Sequence, residues 1–333
     1  MEGELLAVAK LLPLQLGSSS DKYYDGDTSA WRGLLINRLS VYAMLAYVEA
    51  WKANYVDAEA YTAYVIKNID TYIKGSPDYV TIANLVSPTG IFSQEYSNDY
   101  KAARLVTFGY RYGTDNANET GTDGHLESWT LAEPIIRKQL PEIYVPIDTL
   151  KNLFMSQFTT DNRFGYDELS KPMKYYSNYV TGLSREYPIF SKINVVREGK
   201  DNTGDLGVFT SFIIWSRLED ILLLRAEALV MLNRSEDAIN CLNELRGVRN
   251  LRNLSYLKDL KGDAKALLKE IFRERRRELM GEGHRWFDRI REARTVGDDD
   301  AMIKLINEGG IYWPIAEEVI RENPSITQNE YWK

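Results

Sequence analysis

Two clusters of aromatic residues carry the side-chain types from which a sugar-binding surface is built. Tyr110 and Tyr112 stand beside Asp115, Asn116 and Asn118, with Trp129 downstream, and Tyr175, Tyr176 and Tyr179 surround Asn178. A sugar ring presents C–H faces that stack on aromatic rings, and its hydroxyls need fixed amide, carboxylate or guanidinium partners. Exposed Tyr or Trp next to Asn, Asp and Arg is therefore the combination such a surface requires. For any single one of these aromatics, packing onto the body of the protein accounts for its presence equally well. The chain holds 22 Tyr and 7 Trp in 333 residues, which is more than average usage and makes the aromatics the main compositional clue.

Catalytic constellations are harder to assemble. His284 stands between Glu282 and Asp288, but a zinc site or a nucleophile triad needs converging partners, and the one other histidine, His125, lies in a distant loop. A hydrogen-bonded structural role is the favoured reading of His284. Paired carboxylates would suit a glycosidase, yet 48 acidic residues produce such pairs by chance, and Glu274 and Glu278 already have arginines at helical spacing. Asp298-Asp299-Asp300 lacks the spacing and the glycine of a calcium loop and reads as a solvated helix start. Cys241, the single cysteine, excludes an intramolecular disulfide and reads as a buried, inert thiol. No enzyme activity, metal or cofactor is expected.

The net charge of -7 and a pI near 5.2 argue against a nucleic-acid partner, which needs a concentrated basic surface. In the run from Arg273 to Arg277, Glu270 with Arg273 and Glu274 with Arg277 read as surface ion pairs three positions apart. Hydrophobic residues make up 44% and charged residues 27%, as in a globular protein, and no apolar run approaches the ~20 residues of a spanning helix. Met1-Glu2-Gly3-Glu4 lacks the basic and apolar regions of a secretory signal.

The elements that must position these residues are helical. Arg38 to Trp51 and a second stretch to about Ile73 form one hairpin pattern, and Leu218 through the turn at Asn233-Arg234-Ser235 to Leu245 forms another. Ala46 and Ala58 are 12 positions apart, as are Ala226 and Ala238, and such matched small residues let antiparallel helices approach closely, as in tetratricopeptide repeats. Because 180 positions separate the two pairs, the hairpins are expected to meet across an intervening module. Leu268, Phe272, Leu279, Trp286 and Ile290 share a helical face, with a break at Gly281 and Gly283, and Trp286 and Phe287 are assigned to core packing. Ala301 to Asn307 reads as a further helix, ended by Gly309-Gly310. Between about Lys74 and Phe212 the composition turns to Gly, Pro, Asn, Asp and Tyr. Short helices are expected there at Ser128 to Gln139 and Ile147 to Phe158, a hairpin around Pro188 to Val196, and long loops elsewhere. The fold expected is mainly α, with tetratricopeptide-like helical hairpins and a loop-rich insertion. It is laid out as one domain over 1–333, in which 31–74 is the first hairpin, 75–212 the ligand-binding loops and 213–333 the second hairpin and C-terminal helices.

The order of motifs resembles the SusD/RagB family. The arginine-led helix from Arg217 to Ala228, the stretch Leu242-Asn243-Glu244-Leu245-Arg246 with Val248-Arg249, the block Glu274 to Glu278, Gly283 to Asp288, Trp313-Pro314 and Asn323-Pro324 follow one another as in that family, and the likeness runs from about Leu5 to the end. It implies a non-catalytic lipoprotein on the outer membrane of a Bacteroidetes cell that binds oligosaccharides for a SusC-like TonB-dependent transporter. Membrane association would run only through a lipid anchor that this stretch does not include. Glu4 to Ala9 resembles a helix that normally precedes the first hairpin. The RagB branch is associated with peptides, so peptide capture is the alternative, and a helical-repeat adaptor that binds only proteins is another.

Overall fold

The structure is a computed structural model that describes residues 2–14, 36–69, 79–93, 103–108, 126–154, 161–167, 174–183, 187–198, 207–209, 211–323 and 325–333. Its helices are α1 (Glu2–Leu11), α2 (Arg38–Trp51), α3 (Tyr55–Ile69), α4 (Ile82–Val86), α5 (Leu126–Thr130), α6 (Ile147–Phe154), α7 (Leu218–Met231), α8 (Ser235–Val248), α9 (Ala264–Glu278), α10 (Arg285–Val296), α11 (Asp300–Asn307) and α12 (Glu317–Glu322). Among the described residues, four antiparallel two-stranded ladders join β1 (Val106–Phe108) to β8 (Ile213–Ser216), β2 (Phe164–Asp167) to β3 (Lys174–Ser177), β4 (Val180–Thr181) to β5 (Ile189–Phe190) and β6 (Val196–Glu198) to β7 (Gly207–Phe209). No helix among the described residues is long and apolar enough to cross a membrane.

The two hairpins, α2–α3 and α7–α8, repeat one another down to the backbone of the turn. Ala53 and Asn233 both take positive φ, 61° and 60°, and lie 180 positions apart. The amides of Asn54 and Arg234 bond back to Glu49 and Leu229, and those of Ala53 and Asn233 to Ala50 and Val230, each pair in the same register. Such a left-handed residue stops a helix by satisfying its last carbonyls. At the other end of α2, Asn37 accepts from the Ser40 amide while Ser40 Oγ accepts from the Asn37 amide, a reciprocal cap on two otherwise orphaned donors.

Ala46, Ala58, Ala226 and Ala238 are all fully buried, as their spacing requires. The hairpins meet although 180 positions separate them: α3 packs directly on α7, and Ala46, Ala50, Ala58, Leu224 and Ala228 form a single apolar cluster. Without large side chains between them, two helices need no spacer. The neighbouring core joins α7 and α8 to α9 through Leu223, Leu242, Ile271 and Phe272. α9 then breaks where Gly281 takes φ +78° with its α-carbon against the Phe190 ring, a place with no room for a side chain, and α10 begins four residues on.

Four local expectations change. The helix from Ser128 to Gln139 stops at Thr130, because Pro134 has no amide to donate and pushes the residue before it out of helical geometry. The strand region near Pro188 divides between two partners, β4 and β7, because Lys192 between the two strands is buried and donates to the Glu278 and Met280 carbonyls. Phe287 is 51% exposed and touches Trp51 edge-on, since it sits on the outer side of α10 while Ile290 and Ala293 face inward. The charged run on α9 is not a surface network. Glu274, Arg275, Arg277 and Glu278 are buried, and Arg277 serves both Glu270 and Glu274.

Candidate ligand-binding surface

The buried charges of α9 hold the loop module onto the helices. Arg163, just before β2, donates to Glu278 at 3.0 Å, to Glu274 at 2.6 Å and twice to Asp161 at 2.9 and 3.0 Å. Glu278 also receives Arg217 at 2.8 Å from the head of α7, and Arg249 at 2.7 and 2.8 Å from the end of α8. Arg249 in turn reaches the Val80 carbonyl at 2.7 Å, and Glu219 takes the Val80 amide at 2.6 Å. A charge enters a protein interior only with its partners in place, so each of these contacts requires the others. Burial by itself would raise the Glu274 carboxyl, but the guanidinium groups of Arg163, Arg277 and Arg246 outweigh it and hold the group at about 2. Glu282 is likewise brought to about 2, against burial, by Arg217 and Lys192.

This clamp positions the outer edge of the β2–β3 hairpin. Tyr176 pairs opposite Gly165, and a methyl group on Gly165 would overlap the tyrosine ring, so the ring lies close across the backbone of the neighbouring strand. The Tyr176 hydroxyl donates to the Asp161 carbonyl at 3.0 Å, and the residue is 38% exposed. The exposed Asn178 donates its side-chain amide to the Asn162 carbonyl at 2.5 Å and its backbone amide to the Arg163 carbonyl at 3.0 Å. Asn162 Oδ1 is buried and has no hydrogen-bond partner among the described residues. A partly exposed aromatic face thus stands two positions from the exposed Asn178 carboxamide on one hairpin edge, beside the clamped Arg163. That is an arrangement suited to a ring with hydroxyls.

Trp129 lies elsewhere, 40% exposed at the end of α5, with its carbonyl accepting from the amides of Glu142 and Ile143 at 2.8 and 2.9 Å. Leu126, Leu140 and Ile143 are exposed as well, so the tryptophan belongs to an apolar stretch of surface flanked by the Lys138–Glu142 ion pair at 2.7 Å. Tyr179 is 1% exposed, packed against Phe154 with the Lys192 ammonium over its ring, and has no solvent face. Tyr175 stands opposite Tyr166 in the ladder. Tyr110, Tyr112, Asp115, Asn116 and Asn118 lie outside the described residues. Of the predicted residues, then, the structure brings together Tyr176 and Asn178.

The sequence reading missed the buried arginines. Arg217 and Arg249 gave a signal, as cations at the edges of strongly apolar helices, but nothing local says that they converge. A third aromatic group was also missed, at the C-terminal end. Trp313 is 81% exposed with its ring 6.3 Å from that of Trp286, and Trp332 donates its indole N–H to the Tyr312 carbonyl at 2.7 Å.

The residues singled out for catalysis have structural occupations. Tyr47 Oη is 3.3 Å from His284 Nδ1, and the tyrosine hydroxyl also donates to Asp220, which Arg275 engages at 2.9 Å. The Glu274 and Glu278 carboxylates are both enclosed by guanidinium groups and do not face each other across water. Burial raises the Cys241 thiol to about 11, which keeps it protonated and unreactive near neutrality. Asp299 caps α11 by accepting the Met302 amide at 3.0 Å, and Asp298 pairs with Lys269 at 2.6 Å.

A sequence model of the SusD family matches residues 107–332. A SusD superfamily protein from Bacteroides thetaiotaomicron is 41% identical and aligns over 100% of this chain with a TM-score of 0.82, and the chain covers 66% of that protein. SusD-like protein P38 from Formosa agariphila is 36% identical over 121 residues, which is 35% of this chain and 24% of that one. The surface glycan-binding protein A from Bacteroides uniformis, 18% identical with a TM-score of 0.57 over 99% of this chain and 67% of its own, is alike in fold. The chain therefore spans about two thirds of the length of these solved structures.

Proposed function

This chain belongs to the SusD family, and from that premise we propose that it captures oligosaccharides at a bacterial cell surface without altering them and passes them to a SusC-like TonB-dependent transporter in the outer membrane. The observation that carries the reading is the exposed ring of Tyr176 beside the exposed Asn178 on a hairpin anchored by buried charge. The ring offers a face for sugar C–H groups, the Asn178 carboxamide offers polar atoms for hydroxyls, and the anchor removes the cost of ordering them when the ligand arrives. Trp129 offers a second face, and the loop tyrosines Tyr110 and Tyr112 with Asn116, together with Tyr175, are candidates to complete the surface. That a protein of like fold is a surface glycan-binding protein supports the same reading.

The test is a panel of oligosaccharides and peptides titrated against the chain, following intrinsic fluorescence and assaying for products. Binding of an oligosaccharide with no product formed, weakened about 10-fold by Tyr176→Ala, agrees with the proposal; ~10-fold corresponds to about 1.4 kcal/mol, the scale of one aromatic contact. Capture of peptides alone would replace it with the peptide-uptake reading, and bond cleavage would replace both.

A further inference from the structure

A separate cleft of about 370 Å³ lies between α6 and the break that joins α9 to α10, and its volume falls within the range of small-molecule sites. We infer that this cleft takes the carboxylate of an acidic sugar, with Arg276 as the receiving guanidinium and Trp286 as the wall on which the sugar ring rests.

Charge is the first support. Arg276 lines the cleft and is exposed, and among the described residues no acid or carbonyl forms a hydrogen bond or ion pair with it. The acids in reach are taken: Arg285 pairs with Glu292 at 3.1 Å, Arg289 with Asp299 at 2.9 Å, and Arg275 and Arg291 share Asp288 at 3.0 and 2.9 Å. Burial, and after it the charge of Arg285, work against the Arg276 cation more than the nearby Glu292 supports it, and an anion arriving in the cleft adds the support that is short. A guanidinium with its N–H fork free matches a planar carboxylate in two parallel hydrogen bonds.

Shape is the second. Val145, Leu279 and Met280 give the cleft an apolar lining, Thr149 adds a hydroxyl, and Trp286 continues outward to the exposed Trp313. Aromatic faces leading to one unpaired cation suit a chain of sugar rings that carries a carboxylate, and the inference rests on the glycan-capture reading.

The experiment is calorimetric titration of the whole chain with tetrasaccharides of galacturonate, glucuronate or mannuronate, each beside its carboxyl-reduced, neutral counterpart and a sulfated one of equal length. The expected result is tighter binding of at least one uronate than of its neutral counterpart, weakening as salt is added. Arg276→Gln lowers that affinity at least 10-fold, leaves the neutral ligand unchanged, and Arg276→Lys recovers part of the loss. Unchanged uronate binding in Arg276→Gln overturns the inference, as does a sulfated ligand held equally tightly through Arg276, which makes the site a general anion site. If neutral sugars bind through Tyr176 and uronates bind no better, the inference fails while the proposed function stands. If no saccharide binds at all, the proposed function fails first.

Discussion

Arg163 and Glu278 meet at 3.0 Å with neither side chain exposed, although 115 positions of chain separate them. One belongs to the hairpin that presents Tyr176 and the other to the last turn of α9. The contact therefore makes the geometry of the candidate surface depend on the helical scaffold. Arg217 and Arg249 converge on the same carboxylate, so Glu278 joins four separate segments of the chain.

Removing the Glu278 charge leaves three guanidinium groups buried around a neutral amide. Glu278→Gln is expected to destabilise the fold by about 3–5 kcal/mol, the cost of breaking a buried pair from one side. Urea unfolding followed by circular dichroism measures it, and a loss under ~1 kcal/mol would mean that solvent reaches the site.

The same network sets a dependence on acid. The folded-state values of Glu274 and Glu282, about 2, lie below the ordinary 4.5, so the stability they contribute is complete above that ordinary value and is lost as pH falls from 4.5 toward 2. A shift of this size corresponds to about 3 kcal/mol for one group, and the two do not add independently because both groups pair with arginines that also bind Glu278. The urea midpoint should hold steady between about pH 7 and 5 and then fall steeply; a flat profile down to pH 3 would contradict the charged network.

Gly165→Ala tests how Tyr176 is positioned. The added methyl displaces the tyrosine ring from the neighbouring strand, while the strand backbone accepts alanine. Oligosaccharide affinity should fall about 10-fold, and the melting temperature should drop far less than in Glu278→Gln. A variant that binds normally would remove Tyr176 from the surface.

Much of the scaffold was legible because its signals are local. Alanines at matched intervals, apolar residues at helical spacing and glycines at positive φ report contacts and turns within a few residues of themselves, and α2, α3, α7, α8, α9 and α10 lie where those signals put them. Tyr176 and Asn178 sit two positions apart on one hairpin edge, whereas Tyr179, one position further, turns into the core where the strand gives way to a new ladder.

The amino-acid order by itself determined that this chain makes paired helical hairpins with an aromatic-rich insertion, since periodicity and turn chemistry act over short distances. The tertiary structure alone decided that Glu274 and Glu278 are interior charges and not surface ones, that Asn178 is tied to the Asn162 carbonyl, and that Arg276 faces a cleft with no hydrogen-bond or ion-pair partner among the described residues. A helix shows in its sequence which residues are neighbours along it. Which arginine from 115 positions away arrives to bury a carboxylate depends on how the remaining elements pack, and that information is carried by no single segment.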